Sequence, residues 1–214
     1  MYYHEPQGKN VSKFPINHSW CVARLAHALA RRIGLPDPDA KATRAAAFFH
    51  DLGKIGIPSV ILYKPGPLEK CEWDVIHTHP LIGTRIAQAI RPLSRYSSFI
   101  LSHHERWDGD GYPNGLKGSQ IPIASQIIAI ADAFHAMTSH RPYRRALDIR
   151  EALEKVQDGS GTQWSEPLAA ALIHMVQRKA AASSKARGSM KWNGSYSFST
   201  LSTKSYPFCS VGRL

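Results

Sequence analysis

The sequence predicts an all-α domain, and three observations carry that expectation. Apolar residues return at spacings of three and four along most of residues 1–182. No stretch shows the period-two alternation of a half-buried strand, and there is no internal repeat. Glycine and proline clusters cut the periodic stretches into pieces of helix length. Together they imply a bundle of about seven helices.

The first helix is expected over 18–33, where Val22, Ala26, Leu29 and Ile33 form a stripe and Arg24, Arg31 and Arg32 lie off it. Gly34, Pro36 and Pro38 break it, and an alanine-rich helix over 39–52 follows, with Gly53 at its stop. The connection GKIGIPSVILYKPGPLEK carries four punctuating residues, Pro58, Pro65, Gly66 and Pro67. A helix from Glu69 to His79 hands over to another over 81–91, with Pro80 tolerated as a first helical residue. Pro92 separates that helix from one over 94–106. The loop WDGDGYPNGLKGSQ holds four glycines and a proline, too many for a regular element. A longer helix from Pro122 to Ser139 carries Ile123, Ile127, Ile130 and Phe134 on one face. RPYRRALD is a connector, and helices over 149–158 and 166–182 complete the domain, taken as residues 1–182. Residues 183–214 are serine-rich, contain five basic and no acidic residues, and read as a disordered basic tail.

At 214 residues with 43% hydrophobic content the chain can bury a sizeable core. The formal net charge of +11 favours anionic partners such as phosphate esters and nucleotides. Three scattered cysteines form no CxxC pair, so neither a disulfide framework nor a zinc–thiolate site is indicated. The polar N-terminus lacks the apolar segment of a signal peptide, and no stretch would span a bilayer, so a cytoplasmic protein is expected.

Chemistry concentrates in a few places. His50 and Asp51 are adjacent at the end of one predicted helix, His79 ends another, His103 and His104 are adjacent near the end of a third, and Asp132 interrupts the apolar run IIAIADAF. One such residue alone would mean little. A carboxylate inside an apolar helix, however, is costly to bury without a cation or hydrogen-bond donors. Clustered imidazoles and carboxylates suit iron, manganese, zinc or nickel better than calcium, which prefers oxygen ligands. Six ligands exceed the needs of one catalytic zinc, whereas two ions sharing a carboxylate would use them all.

The segments FFHDLGKIGIPSVILYKPGPL, HTHPLIG, ILSHHERWDGDGYPNGLKGSQIPIASQIIAIADAF and MTSHRPYRRAL together resemble the HD-GYP subgroup of the HD hydrolases, over about residues 18–167. The resemblance implies an HD-type helical bundle with a Gly/Pro-rich loop beside a metal site. It implies hydrolysis of cyclic di-GMP to the linear dinucleotide or GMP by water activated at two divalent ions, iron or manganese first, with zinc, nickel or magnesium as alternatives. Carried over by position, His50, Asp51, His79, His103, His104 and Asp132 are the metal ligands and Lys54 contacts the scissile phosphate. Gly111, Tyr112 and Pro113 form the signature tripeptide, and Arg141 and Arg144 hold substrate phosphates. Phe14 stands where members with three metals carry Glu, which leaves His18 in the surrounding shell or as a weak extra ligand. His135 and His140 replace two aspartates of the pattern. Those departures fit an alternative, a non-catalytic module that senses cyclic di-GMP or docks a diguanylate cyclase or sensor protein. Nucleic acid is not an expected partner. Trp107 is expected either to stack on a guanine or to pack between helices, and His4, His27, His77 and His174 are expected to be surface residues without a task.

Overall fold

A computed structural model describes residues 16–140 and 145–188, the side chains of 182–188 excepted. Among them are nine α-helices and no strand. These are α1 (Ile16–Arg32), α2 (Asp37–Phe49), α3 (Ser59–Leu62), α4 (Lys70–Ile76), α5 (His79–Ala89), α6 (Ser97–Leu101), α7 (Ile123–Thr138), α8 (Ile149–Asp158) and α9 (Glu166–Gly188). Seven of them run for seven residues or more, the bundle the periodicity predicts; α3 and α6 are single turns. A 3-10 turn over Leu52–Gly56 links α2 to α3.

The stripe on α1 faces inward as expected, with Val22, Ala26 and Leu29 fully buried against α2, α7 and α9. On α2 the buried residues are Ala40, Thr43, Ala46 and Ala47, and their small side chains let α1 and α7 approach closely. Helix α7 is buried almost all round, through Ile127, Ile128, Ile130, Ala131 and Phe134. Its first turn departs from expectation, because Ile123 is exposed. Helix α8 begins with a capping box. Asp148 Oδ1 accepts from Glu151 N–H at 2.8 Å, and Glu151 Oε2 accepts from Asp148 N–H at 3.0 Å.

Two boundaries differ most from the sequence reading, besides α2 and α4 each ending three residues early and the short α3 inside the expected connection. The segment expected as one helix over 94–106 is a 3-10 turn followed by α6, which ends at Leu101 and leaves His103 and His104 on the turn beyond. Helix α9 continues past residue 182 to Gly188, where Lys185, Ala186 and Arg187 favour helix and Ser183 and Ser184 do not stop it. The tail over 189–214 lies outside the described residues. No helix among the described residues is long and apolar enough to cross a membrane.

Candidate metal centre

The ends of three helices build the centre. Each helix leaves the carbonyls of its last turn without an intrahelical partner, and in three cases an imidazole just beyond the end takes one. His50 Nδ1–H donates to Ala47 O at 2.7 Å after α2. His79 Nδ1–H donates to Ile76 O at 2.8 Å after α4, and His103 Nδ1–H to Ile100 O at 2.6 Å after α6. A carbonyl oxygen only accepts, so all three rings carry their hydrogen on Nδ1 and present a lone pair at Nε2. Histidines that bind metals are oriented in this way.

The Nε2 atoms converge. His79 Nε2 lies 3.3 Å from His103 Nε2 and 3.2 Å from His104 Nε2. With the hydrogens on Nδ1 of His79 and His103, no proton joins that first pair; the contact brings two lone pairs together. His50 Nε2 is buried without a hydrogen-bond partner. Asp51 reaches across the group, with Oδ1 3.4 Å from His79 Nε2 and Oδ2 3.3 Å from His50 Nε2. Asp132 Oδ1 is 3.9 Å from His50 Nε2 and 3.1 Å from His18 Nε2. Donor atoms of Asp51, His79, His103 and His104 lie within 4.8 Å of one another, as do those of His18, His50 and Asp51. Both groups contain Asp51. The orphaned Nε2 of His50 and the other Nε2 atoms gathered around Asp51 fit a divalent cation by geometry and by chemistry.

The electrostatics agree. Burial disfavours charge on His79 and pushes it down to about 4; burial, with His50 and His79 nearby, pushes His103 down to about 3. Burial likewise holds His104 far below its ordinary value. Neutral imidazoles are the ligand form. His50 is the exception: burial opposes its charge, but Asp51 and Asp132 outweigh it and lift that ring to about 9, so at neutral pH without a cation its Nε2 carries a proton toward the carboxylates that a bound cation would displace. Burial opposes ionisation of Asp51, yet Lys54 and His50 hold it well below the carboxylate range. For Asp132 burial is again the opposing influence, overcome by His18.

Close backbone contact sets the register of these parts. A Cβ on Gly53 would lie 1.8 Å from His79 O and 2.5 Å from Gly83 N, so only glycine lets the 3-10 turn rest on α5 and brings Asp51 beside His79. One turn on, Lys54 Nζ donates to Asp51 Oδ2 at 2.8 Å and faces the cleft.

The cleft has a volume of about 690 Å³. Lys54, Asp51, His79, His103, His104 and Asp132 line it, with Gly111 and Tyr112 at the loop side. Pro113 is half-buried and does not line it. Arg141 and Arg144 lie outside the described residues, as do His4 and Phe14. Trp107 lines a separate small crevice, which favours its packing role; the tryptophans of the cleft are Trp73 and Trp164.

His18 stands in the cluster with His50 and Asp51, within the range expected of it. Two other residues do more than expected. His77, expected to be idle on the surface, stacks on Tyr112 at 4.1 Å between ring centroids, and Tyr112 stacks on His104 at 4.7 Å. Glu105, not singled out at all, is buried and accepts from Asn114 N–H at 2.8 Å and from Leu116 N–H at 3.0 Å. With Tyr112 N–H donating to His104 O at 3.2 Å, these bonds hold the glycine-rich loop beside the centre. The signal for Glu105 was its position, one residue past His104 on the same turn.

Residues 6–167 match the family model described as HD domain. A cyclic di-GMP phosphodiesterase from Thermotoga maritima is 39% identical over 160 residues, covering 74% of this chain and 44% of the relative. A 3'3'-cGAMP-specific phosphodiesterase from Vibrio cholerae is 35% identical over 161 residues, covering 75% of this chain and 35% of the relative. The chain thus spans less than half the length of these curated relatives. Among solved structures, an HDG"Y"P protein from Bdellovibrio bacteriovorus superimposes with a TM-score of 0.63 at 21% identity, covering 79% of this chain and 55% of that one. It shares the all-helical fold.

Proposed function

This chain belongs to the HD domain family, of the HD-GYP type, and from that premise we propose that it is a phosphodiesterase that hydrolyses cyclic di-GMP to the linear dinucleotide or GMP. One observation carries the proposal: imidazole Nε2 lone pairs converge on Asp51, a carboxylate common to two donor groups. Two divalent ions, iron or manganese, would be held there by His50, Asp51, His79, His103, His104 and Asp132. Bound there, they supply acidified water at neutral pH and charge neutralisation at phosphorus.

The chain's own residues do the rest. Asp51 and Asp132 fix the positive charge that a phosphodiester needs, and the three carbonyl-anchored histidines hold their rings without rotational search. Lys54, 2.8 Å from Asp51 and directed into the cleft, is placed to bind a non-bridging phosphate oxygen as charge grows there. Arg141 and Arg144 are proposed to hold the phosphates through charge-assisted bonds. Gly111 and Tyr112 are proposed to shape the wall against the dinucleotide, Tyr112 being held flat by His77 and His104, with Pro113 behind them in the loop. A volume of about 690 Å³ suits a ligand of that size. A diguanylate cyclase or sensor protein is the proposed macromolecular partner.

The test is incubation of manganese- or iron-loaded protein with cyclic di-GMP, 3'3'-cGAMP and cyclic di-AMP, followed by anion-exchange chromatography. Linear product from cyclic di-GMP at the highest rate is expected. Recovery of all three substrates intact from fully loaded protein would leave binding alone.

A further inference from the structure

His50, His79 and His103 are each locked by a backbone carbonyl, but His18 is held differently. Its Nδ1 lies 3.0 Å from His135 Nδ1, and its Nε2 lies 3.1 Å from Asp132 Oδ1. His135 continues the row, its Nε2 3.2 Å from Ser139 Oγ. His18 sits in the first turn of α1, whereas His135 and Ser139 lie at the end of α7, so two distant elements meet at this contact.

A neutral imidazole offers one donor and one acceptor, and a hydroxyl can do either. The row Asp132–His18–His135–Ser139 therefore has two self-consistent arrangements with the same number of protons. In the first, His18 donates Nε2–H to Asp132 and accepts at Nδ1 from His135, whose Nε2 accepts from Ser139. In the second, His18 donates Nδ1–H to His135, which donates Nε2–H to Ser139, and the Nε2 lone pair of His18 faces the cluster. The first satisfies Asp132 with a hydrogen bond. The second makes His18 a ligand alongside Asp132. A carbonyl in the place of His135 would permit only the second.

We infer that His135 is the positioning residue for His18, and that its two-way hydrogen bonding makes His18 a conditional ligand that turns its lone pair to the cluster when a cation takes Asp132. The inference deepens the metal reading above and rests on it. It also assigns a purpose to a histidine at a position where the family pattern has aspartate. His135→Asp replaces the two-way partner by one that only accepts, and His135→Leu removes the partner.

The experiment is long-range proton–nitrogen NMR of 15N-histidine-labelled protein at mildly alkaline pH, metal-free and zinc-loaded. The His18 ring is assigned by its loss in His18→Phe. In the unaltered protein His18 is expected as the Nε2–H tautomer without metal and Nδ1–H with zinc. In His135→Asp, where both ring nitrogens face acceptors, it is expected doubly protonated without metal and as Nδ1–H with zinc. In His135→Leu the exchange is expected to be lost and zinc affinity to fall by roughly 10- to 100-fold, as for other partners of metal-bound histidines. The same His18 protonation state in metal-free wild-type and His135→Asp protein would overturn the inference, and that arm needs no metal. Failure of every form to bind zinc would count against the metal reading instead.

Discussion

Glu105→Gln tests how the loop beside the centre is held. The carboxylate is 3% exposed and accepts two backbone hydrogen bonds, from Asn114 at 2.8 Å and Leu116 at 3.0 Å. A bond to a charged acceptor contributes about 1.5–3 kcal/mol, and a buried group left unpaired costs about 1–3 kcal/mol. Glutamine keeps one acceptor and turns an NH₂ toward the other N–H. One bond is lost and two donors face each other, so the loop should open more easily by about 2–4 kcal/mol. At about 1.4 kcal/mol per tenfold, that is a rise of roughly 30- to 1,000-fold in amide exchange at Asn114 and Leu116. Tyr112 should lose its stacking on His104, raising KM more than metal affinity falls. Hydrogen–deuterium exchange with residue resolution reads the effect, with α1 amides as internal controls. Unchanged exchange at Asn114 and Leu116 would refute the clamp, because no other interaction could then be allowed to depend on Glu105.

Three further outcomes follow from the same geometry. Lys54→Ala should keep its metal content by mass spectrometry but lose about 100- to 1,000-fold in kcat, the scale for removing one charge-stabilising donor; equal loss of metal would make it a structural residue. Gly53→Ala should lower the melting temperature sharply and disturb metal uptake, because its Cβ would meet His79 O at 1.8 Å; a wild-type melting curve would contradict the close contact. Metal-free protein should be most stable near pH 6.5. His79 and His103 are depressed to about 4 and about 3, so the unfolded chain takes up protons first and stability falls as pH drops below 6.5; for His79 alone the loss reaches about 3 kcal/mol. His50, raised to about 9, binds its proton in the fold, so its contribution is present below 6.5 and lost as pH rises through 9. Urea titrations across pH 4–10 check both flanks, and a flat profile would show that these rings are not buried together.

The six proposed ligands were legible because local chemistry marks them: paired His-Asp and His-His steps at helix ends and an aspartate inside an apolar helix. The anchoring of His50, His79 and His103 follows from the same fact, since an imidazole just past a helix end meets an orphaned carbonyl. The helical pattern was legible on α1 and α7 because burial follows periodicity there. What escaped depends on contacts across the chain. His18 and His135 are separated by 117 residues, and nothing in either segment names the other. His77 acquires Tyr112 as a stacking partner only once the loop folds back over α4 and α5. The end of α6 at Leu101 was hidden because Ser102, His103 and His104 have no strong breaker, so propensity alone allowed the helix to continue.

We propose that Asp51 and Asp132 would help hold two cations where a cyclic dinucleotide is cleaved. The most direct test is anaerobic reconstitution with manganese or iron, measuring bound metal per chain and the rate of cyclic di-GMP hydrolysis on the same samples, for the unaltered protein and for Asp132→Ala. About two ions per chain are expected, with hydrolysis rising as the second binds, and loss of both ion and rate in Asp132→Ala. Full hydrolysis by Asp132→Ala prepared without metal would contradict the proposal.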